Sequence, residues 1–225
     1  MIYEDSELWV KKNAKPCPGC NIPIDKRDGC NHMTCSQCSY EFCWLCLGPL
    51  RNHLEPHSCN RYEQHEGAEN ESERRALFFS ERFEVHDQAA AFAKNQAEAI
   101  VEKREKLATD MWFVSDEYLD LRERAARTLL EARNFLKNSY VAAWAMKDKL
   151  DIRDSFESYQ ANLELFTEKL SLLLIAMTKL HNLHHEGGER AIHMHFRAVL
   201  FSTTSIEKYM GRILSLLDNG QQSTV

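Results

Sequence analysis

"CPGCNIPIDKRDGCNHMTCSQCSYEFCWLC", residues 17–46, holds seven of the chain's eight cysteines; the eighth is Cys59. Three pairs share one spacing: Cys17-x2-Cys20, Cys35-x2-Cys38 and Cys43-x2-Cys46. A C-x2-C pair is a knuckle whose turn lets two thiolates reach one tetrahedral zinc. A disulfide scaffold would need an oxidising compartment. Residues 1–15 carry early acidic groups and no apolar core, so they do not read as a signal peptide. A cytosolic or nuclear protein holding structural zinc is expected.

Two tetrahedral zinc ions need eight ligands. Cys17, Cys20, Cys35 and Cys38 complete one site. Cys43 and Cys46, with His53 and Cys59, complete the other. His57 competes with His53, but only Ser58 separates it from Cys59, a poor span for two ligands of one metal. Cys30 is then surplus. Three readings of it stay open on the residues alone: the fourth ligand of a cysteine-only site, an inert buried thiol, or a nucleophile. "RDGC" is charged and turn-like, so Cys30 is expected at the surface, near Lys26, Arg27 and His32, whose positive charge would favour the reactive thiolate. A histidine within reach of a cysteine is the minimal nucleophile and base pair, and Glu41 is the carboxylate that could orient His32.

Beyond Tyr62 the grammar changes. "EQHEGAENESE" is a polar connection, and no proline occurs after Pro56. Four helices are predicted, over 72–107, 116–148, 154–184 and 190–217. Ser115 is the N-cap of the second, with Asp116 and Glu117 in its first turn. "EGGE" at 186–189 separates the last two. Leu163, Phe166, Leu170, Leu174, Met177 and Leu180 recur at spacings of three and four. Leu129, Leu136, Tyr140 and Trp144 mark the inward face of the second helix. Ile192, Phe196, Leu200, Ile206, Met210, Ile213 and Leu217 mark that of the last. Such stripes bury one face against neighbours, so an antiparallel bundle is expected. The fold class is therefore mainly α: a small two-zinc ribbon-like module over 17–62 with little β structure, then a long-helix bundle over 72–218. A linker over 1–16, a connection over 63–71 and a disordered tail over 219–225 complete the division.

Net charge is −6, with 44% hydrophobic and 28% charged residues. Residues 1–62 are neutral and the whole negative excess lies beyond them. Neither part has the basic excess of a nucleic-acid binder. No apolar run reaches the 18 or more residues that suggest a membrane span, so neither nucleic acid nor membrane is expected as a partner.

"CPGCNIPIDKRDGCNHMTCSQCSYEFCWLCLGP" followed by "CNRY" resembles the catalytic second RING of RING-between-RING ubiquitin ligases. "CNHM", the "EFCW" and "CLGP" run, and "CNRY" resemble its Ariadne branch. "LFFSERFEVH" at 77–86 and "FESYQANLE" at 156–164 are similar to the Ariadne helical domain, and "EDSELWVKKNAK" to the linker before the ring. The resemblance implies that Cys30 accepts ubiquitin as a thioester from a ubiquitin-conjugating enzyme. His32 would deprotonate the lysine of a protein substrate, and Glu41 would complete the triad. It implies two zinc ions on the eight ligands above. It also implies helices that fold back over the cysteine until a neddylated cullin–RING ligase binds, with Phe92 and Glu164 the candidates at that face. The family carries a first RING and an in-between domain, so this sequence is expected to be a fragment of a longer ligase.

Overall fold

All three knuckles fold alike because each needs the same backbone reversal. The residue after each second cysteine sits in the left-handed region: Asn21 at φ 63°, Ser39 at 58° and Leu47 at 59°. Its N–H returns to the carbonyl of the first cysteine four residues back, at 2.9, 2.9 and 2.8 Å. Asn and Ser suit such turns because short polar side chains compete locally with regular structure. Leu47 is the costly one, and Gly48 follows it.

In the computed structural model, residues 14–26, 29–53, 59–63, 70–110, 115–146, 150–180 and 188–222 are described, with side chains except at 52, 53, 150, 151, 177–180, 188, 189 and 220–222. The zinc module holds two antiparallel hairpins. β1 (Ala14–Pro16) pairs with β2 (Pro23–Asp25) around the first knuckle, and β3 (His32–Thr34) pairs with β4 (Glu41–Cys43) around the second. β1 lies within the stretch 1–16 read as linker from the sequence. A 3-10 turn spans Leu50–His53. Met33, Phe42, Trp44 and, from the helical half, Val85 make its small core.

Five helices follow among the described residues: α1 (Glu71–Glu102), α2 (Arg104–Asp110), α3 (Asp116–Ala145), α4 (Leu150–Leu180) and α5 (Gly188–Gln222). α1 lies mainly against α3, α5 mainly against α4, and α3 also touches α4 and α5. Ser115 caps α3 as expected, its hydroxyl accepting the Tyr118 N–H at 3.3 Å. The single helix predicted over 72–107 breaks at Lys103 (φ −90°, ψ 4°). Arg104 is drawn across to Asp120 (2.7 Å) and Glu123 (3.0 Å) on α3, which redirects the chain. At the C-terminus α5 continues through Gln222, past the predicted end at 217. A glycine in the last turn, Gly220, is where helices tolerate it best.

Leu129, Leu136, Tyr140, Phe156, Leu163, Leu170, Leu174, Ile206 and Ile213 form the buried core. Two predicted core positions fail. Trp144 is 53% exposed and Leu200 is 38% exposed. The inward face of α5 instead passes through Phe196, Val199, Thr203 and Ile206 in steps of three and four, leaving Leu200 one residue out of phase. The side chains of Met177 and Leu180 lie outside the described residues. No described helix is long and apolar enough to cross a membrane.

Candidate active site and zinc sites

Seven cysteines gather in two clusters: Cys17, Cys20, Cys35 and Cys38, and Cys43, Cys46 and Cys59. The Cys17–Cys38 sulfurs are 3.6 Å apart, Cys20–Cys35 3.7 Å and Cys43–Cys59 3.9 Å. Tetrahedral zinc with bonds of about 2.3 Å puts its sulfurs about 3.8 Å apart. These separations are far beyond a disulfide and match a shared cation. Backbone N–H groups of Gly19 and Gly48 donate to Cys17 and Cys46 Sγ at 3.3 Å, as thiolate ligands require. The two clusters fit two zinc sites, four-sulfur and three-sulfur. His53 ends the 3-10 turn, but its side chain, and all of His57, lie outside the described residues.

Cys30 belongs to neither cluster. It sits at the entrance to β3, one residue before Asn31, whose carbonyl accepts the Trp44 N–H at 2.8 Å. His32 lies opposite Cys43, and Glu41 opposite Thr34, so His32 and Glu41 are diagonal neighbours on one face of the hairpin. His32 Nε2 is 3.7 Å from Glu41 Oε1. The His32 backbone N–H donates to Cys30 Sγ at 3.4 Å.

The surface position expected for Cys30 is not what the fold gives. Cys30 is 1% exposed, because the helical half covers it. A side chain on Gly29 would meet the backbone of Ala89 at 3.2 Å and Phe92 at 3.3 Å, so this loop lies directly on α1. From α4, Glu168 accepts the Asn31 backbone N–H at 2.8 Å and the Cys30 thiol. Arg133 of α3, itself 1% exposed, donates to the other Glu168 oxygen at 2.6 Å. Burial alone would raise the Glu168 carboxyl, but Arg133 outweighs it and holds the group at about 2. Burial, then the Glu168 charge, push the Cys30 thiol far above its ordinary range. Lys26 contributes its positive charge elsewhere, donating to Asn31 Oδ1 at 2.7 Å.

The two halves are tied along their whole contact. Arg82 donates to the Cys59 carbonyl and stacks 3.3 Å from the Phe78 ring centroid. Arg61 pairs with Asp154 and with Glu157 at 2.9 Å. Tyr62 leaves the zinc module and joins the helical core, its ring centroid 5.1 Å from that of Phe78 and its hydroxyl donating to Glu71 at 2.6 Å.

The family model described as "IBR domain" matches residues 12–61, which spans the zinc module. The E3 ubiquitin-protein ligase dbl4 of Schizosaccharomyces pombe is 36% identical over 185 residues, covering 76% of this chain and 36% of that protein. The E3 ubiquitin-protein ligase ARIH2 of Mus musculus is 34% identical, covering 75% and 36%. The ankyrin repeat and IBR domain-containing protein 1 of Homo sapiens is 31% identical, covering 75% and 18%. The chain belongs to the Ariadne-type RING-between-RING family. It spans about a third or less of the length of these relatives.

Of the two residues the Ariadne resemblance marked for the covering face, Phe92 lies against the Gly29 loop. Glu164 is 3% exposed, accepts the Tyr140 hydroxyl at 2.7 Å and sits 3.5 Å from His86. One turn further, Glu168 binds the Asn31 backbone N–H. Glu168, Arg133, Gly29 and Asn31 were missed in the sequence. One signal was present: Glu157, Gln160, Glu164, Thr167 and Ser171 form a polar stripe at helical spacing on α4, and all are buried. Most of this stripe is satisfied inside the bundle, Glu164 by Tyr140 and Gln160 by Ser139, while Glu157 pairs with Arg61 of the zinc module.

Proposed function

We propose that this chain is the catalytic and covering portion of a ubiquitin ligase, in which Cys30 carries ubiquitin as a thioester. The single observation that carries this reading is that seven cysteines form two metal clusters while Cys30 stands outside both, beside a paired His32 and Glu41. Relatives named as E3 ubiquitin-protein ligases support the same class.

The chemistry divides one aminolysis into two acyl transfers. A ubiquitin-conjugating enzyme presents the donor thioester. The Cys30 thiolate adds to its carbonyl carbon, a tetrahedral oxyanion forms, and the donor thiolate leaves as the new C–S bond is kept. A substrate lysine amine then attacks the Cys30 thioester. His32 takes the amine proton, Glu41 holds the imidazole, and Cys30 leaves as the thiolate. Zinc takes no part in these steps; through Cys17, Cys20, Cys35, Cys38, Cys43, Cys46, Cys59 and His53 it fixes the hairpins that carry Cys30, His32 and Glu41.

The closed arrangement is the resting state. Glu168 and Phe92 deny Cys30 its donor, and α1 and α4 must withdraw before acylation. A neddylated cullin–RING ligase is the partner class that the Ariadne resemblance supplies for that release. Seven metal-ligating thiolates and one reduced thiol outside the clusters suit the reducing cytosol or nucleus.

The test supplies the chain with ubiquitin activated as the thioester of a small thiol, which needs no enzyme to deliver it. With Phe92→Ala/Glu168→Ala to open the site, intact-mass spectrometry shows one ubiquitin adduct that reducing thiol removes. Cys30→Ser in that background gives an adduct resistant to thiol and cleaved by hydroxide, with two zinc ions per chain retained. A thiol-sensitive adduct that persists in Cys30→Ser, or a loss of one zinc, assigns Cys30 a different role and leaves the chain a zinc-binding adaptor.

A further inference from the structure

The Glu168 carboxylate does more than fill space over Cys30. One of its oxygens receives the Asn31 backbone N–H at 2.8 Å, and the carboxylate accepts the Cys30 thiol. An anionic oxygen on a planar carbon is therefore held on the backbone donor that directly follows Cys30. An acyl oxygen that gains charge when a thiolate adds to its carbon needs a donor of this kind. Oxyanion donors lie about 2.7–3.1 Å from the oxygen they stabilise, and the Asn31 N–H falls in that window. We propose that the Asn31 backbone N–H is the oxyanion donor of the transfer reaction, and that Glu168 inhibits by occupying the oxyanion position. The proposal rests on Cys30 being the acyl acceptor.

Three further observations support a donor built for this use. Asn31 is 5% exposed, so its N–H does not have water as a ready partner when Glu168 leaves. Asn31 is held on both sides, by Trp44 N–H on its carbonyl at 2.8 Å and by Lys26 Nζ on its side-chain oxygen at 2.7 Å, so the donor is fixed in advance. The next N–H, that of His32, points at Cys30 Sγ itself at 3.4 Å, so consecutive amides address the Glu168 oxygen and the sulfur. In acylation the C–S bond forms as the carbonyl pair moves onto oxygen, where the Asn31 N–H meets it. On collapse that pair returns and the old C–S bond breaks. Nothing is oxidised or reduced.

The test removes the N–H alone. In Phe92→Ala/Glu168→Ala protein, Asn31 is replaced by the matching α-hydroxy acid, which exchanges the amide N–H for an ester oxygen and keeps the side chain. Two probes are compared at Cys30: the small-thiol thioester of ubiquitin, which passes through an oxyanion, and iodoacetamide, which does not. Acylation is expected to fall by about 10²–10³-fold while alkylation is unchanged. Equal losses in both reactions, or undiminished acylation, overturn the oxyanion site and leave Cys30 as acceptor. No acylation of the Asn31 amide background overturns the ubiquitin-transfer reading and this proposal with it. A second measurement uses no backbone variant. The Asn31 amide proton resonates downfield in the closed protein, moves upfield in Phe92→Ala/Glu168→Ala, and returns downfield when ubiquitin bearing a C-terminal aldehyde adds to Cys30. A proton that stays upfield in that adduct contradicts the proposal.

Discussion

Cys30 is kept silent by its neighbours. Burial and the Glu168 charge both favour the neutral thiol, and the thiol is not the nucleophile. Because the Cys30 pKa is raised, the reactive form is scarce at neutral pH and grows as pH rises. Alkylation of Cys30 in the wild type should still be climbing above about pH 9, beyond the ordinary cysteine value of about 8.5. Glu168→Gln removes the charge, so the profile should shift to lower pH and the neutral-pH rate should rise. Unchanged profiles would show that Glu168 does not govern the thiol. Mild acid should not release the clamp, since Glu168, held at about 2, stays ionised through the usual carboxylate range. Its depressed pKa contributes stability that is full above that range and lost only as pH falls toward about 2. That Cys30 stands outside both cysteine clusters was legible from ligand arithmetic, which is local. Its burial was not legible, because Glu168 reaches Asn31 from 137 positions away.

Among the elements, close approach of a loop to a helix decides access. α1 presents Ala89, 1% exposed, to the Gly29 loop, and its small side chain allows the close approach. Gly29 completes that fit, with no room for a Cβ against Ala89 backbone. Gly29→Ala should push the loop off α1 and speed Cys30 alkylation at pH 7.5, with the zinc content unchanged. A rate equal to wild type would mean that the contact absorbs a methyl and does not control access. The helices themselves were legible from periodicity, since a stripe such as Leu163, Leu170 and Leu174 has one way to be buried. Their inward phase was less so: Leu200 and Trp144 carry the right residue type at the wrong angle. The break at Lys103 depends on Arg104 finding Asp120 and Glu123 on another helix, which no local pattern records.

For the whole molecule, the division into a cysteine module and a helical bundle is plain in composition, but the two share a core. Tyr62 sits among Phe78, Phe79 and Tyr140, while Val85 of α1 completes the cluster around Phe42 and Trp44. α4 supplies two links across this joint, Glu157 to Arg61 and Glu168 to the Cys30 loop. Under the proposed opening, withdrawal of α4 would break these links together. The most direct measurement is the rate at which the small-thiol ubiquitin thioester acylates Cys30, followed by intact mass, in wild type and in Phe92→Ala/Glu168→Ala. The closed wild type should react at least about tenfold more slowly, the effect of a closing free energy of about 1.4 kcal/mol or more. Equal rates, with the adduct on Cys30 in both, would contradict the claim that the helices hold this cysteine shut.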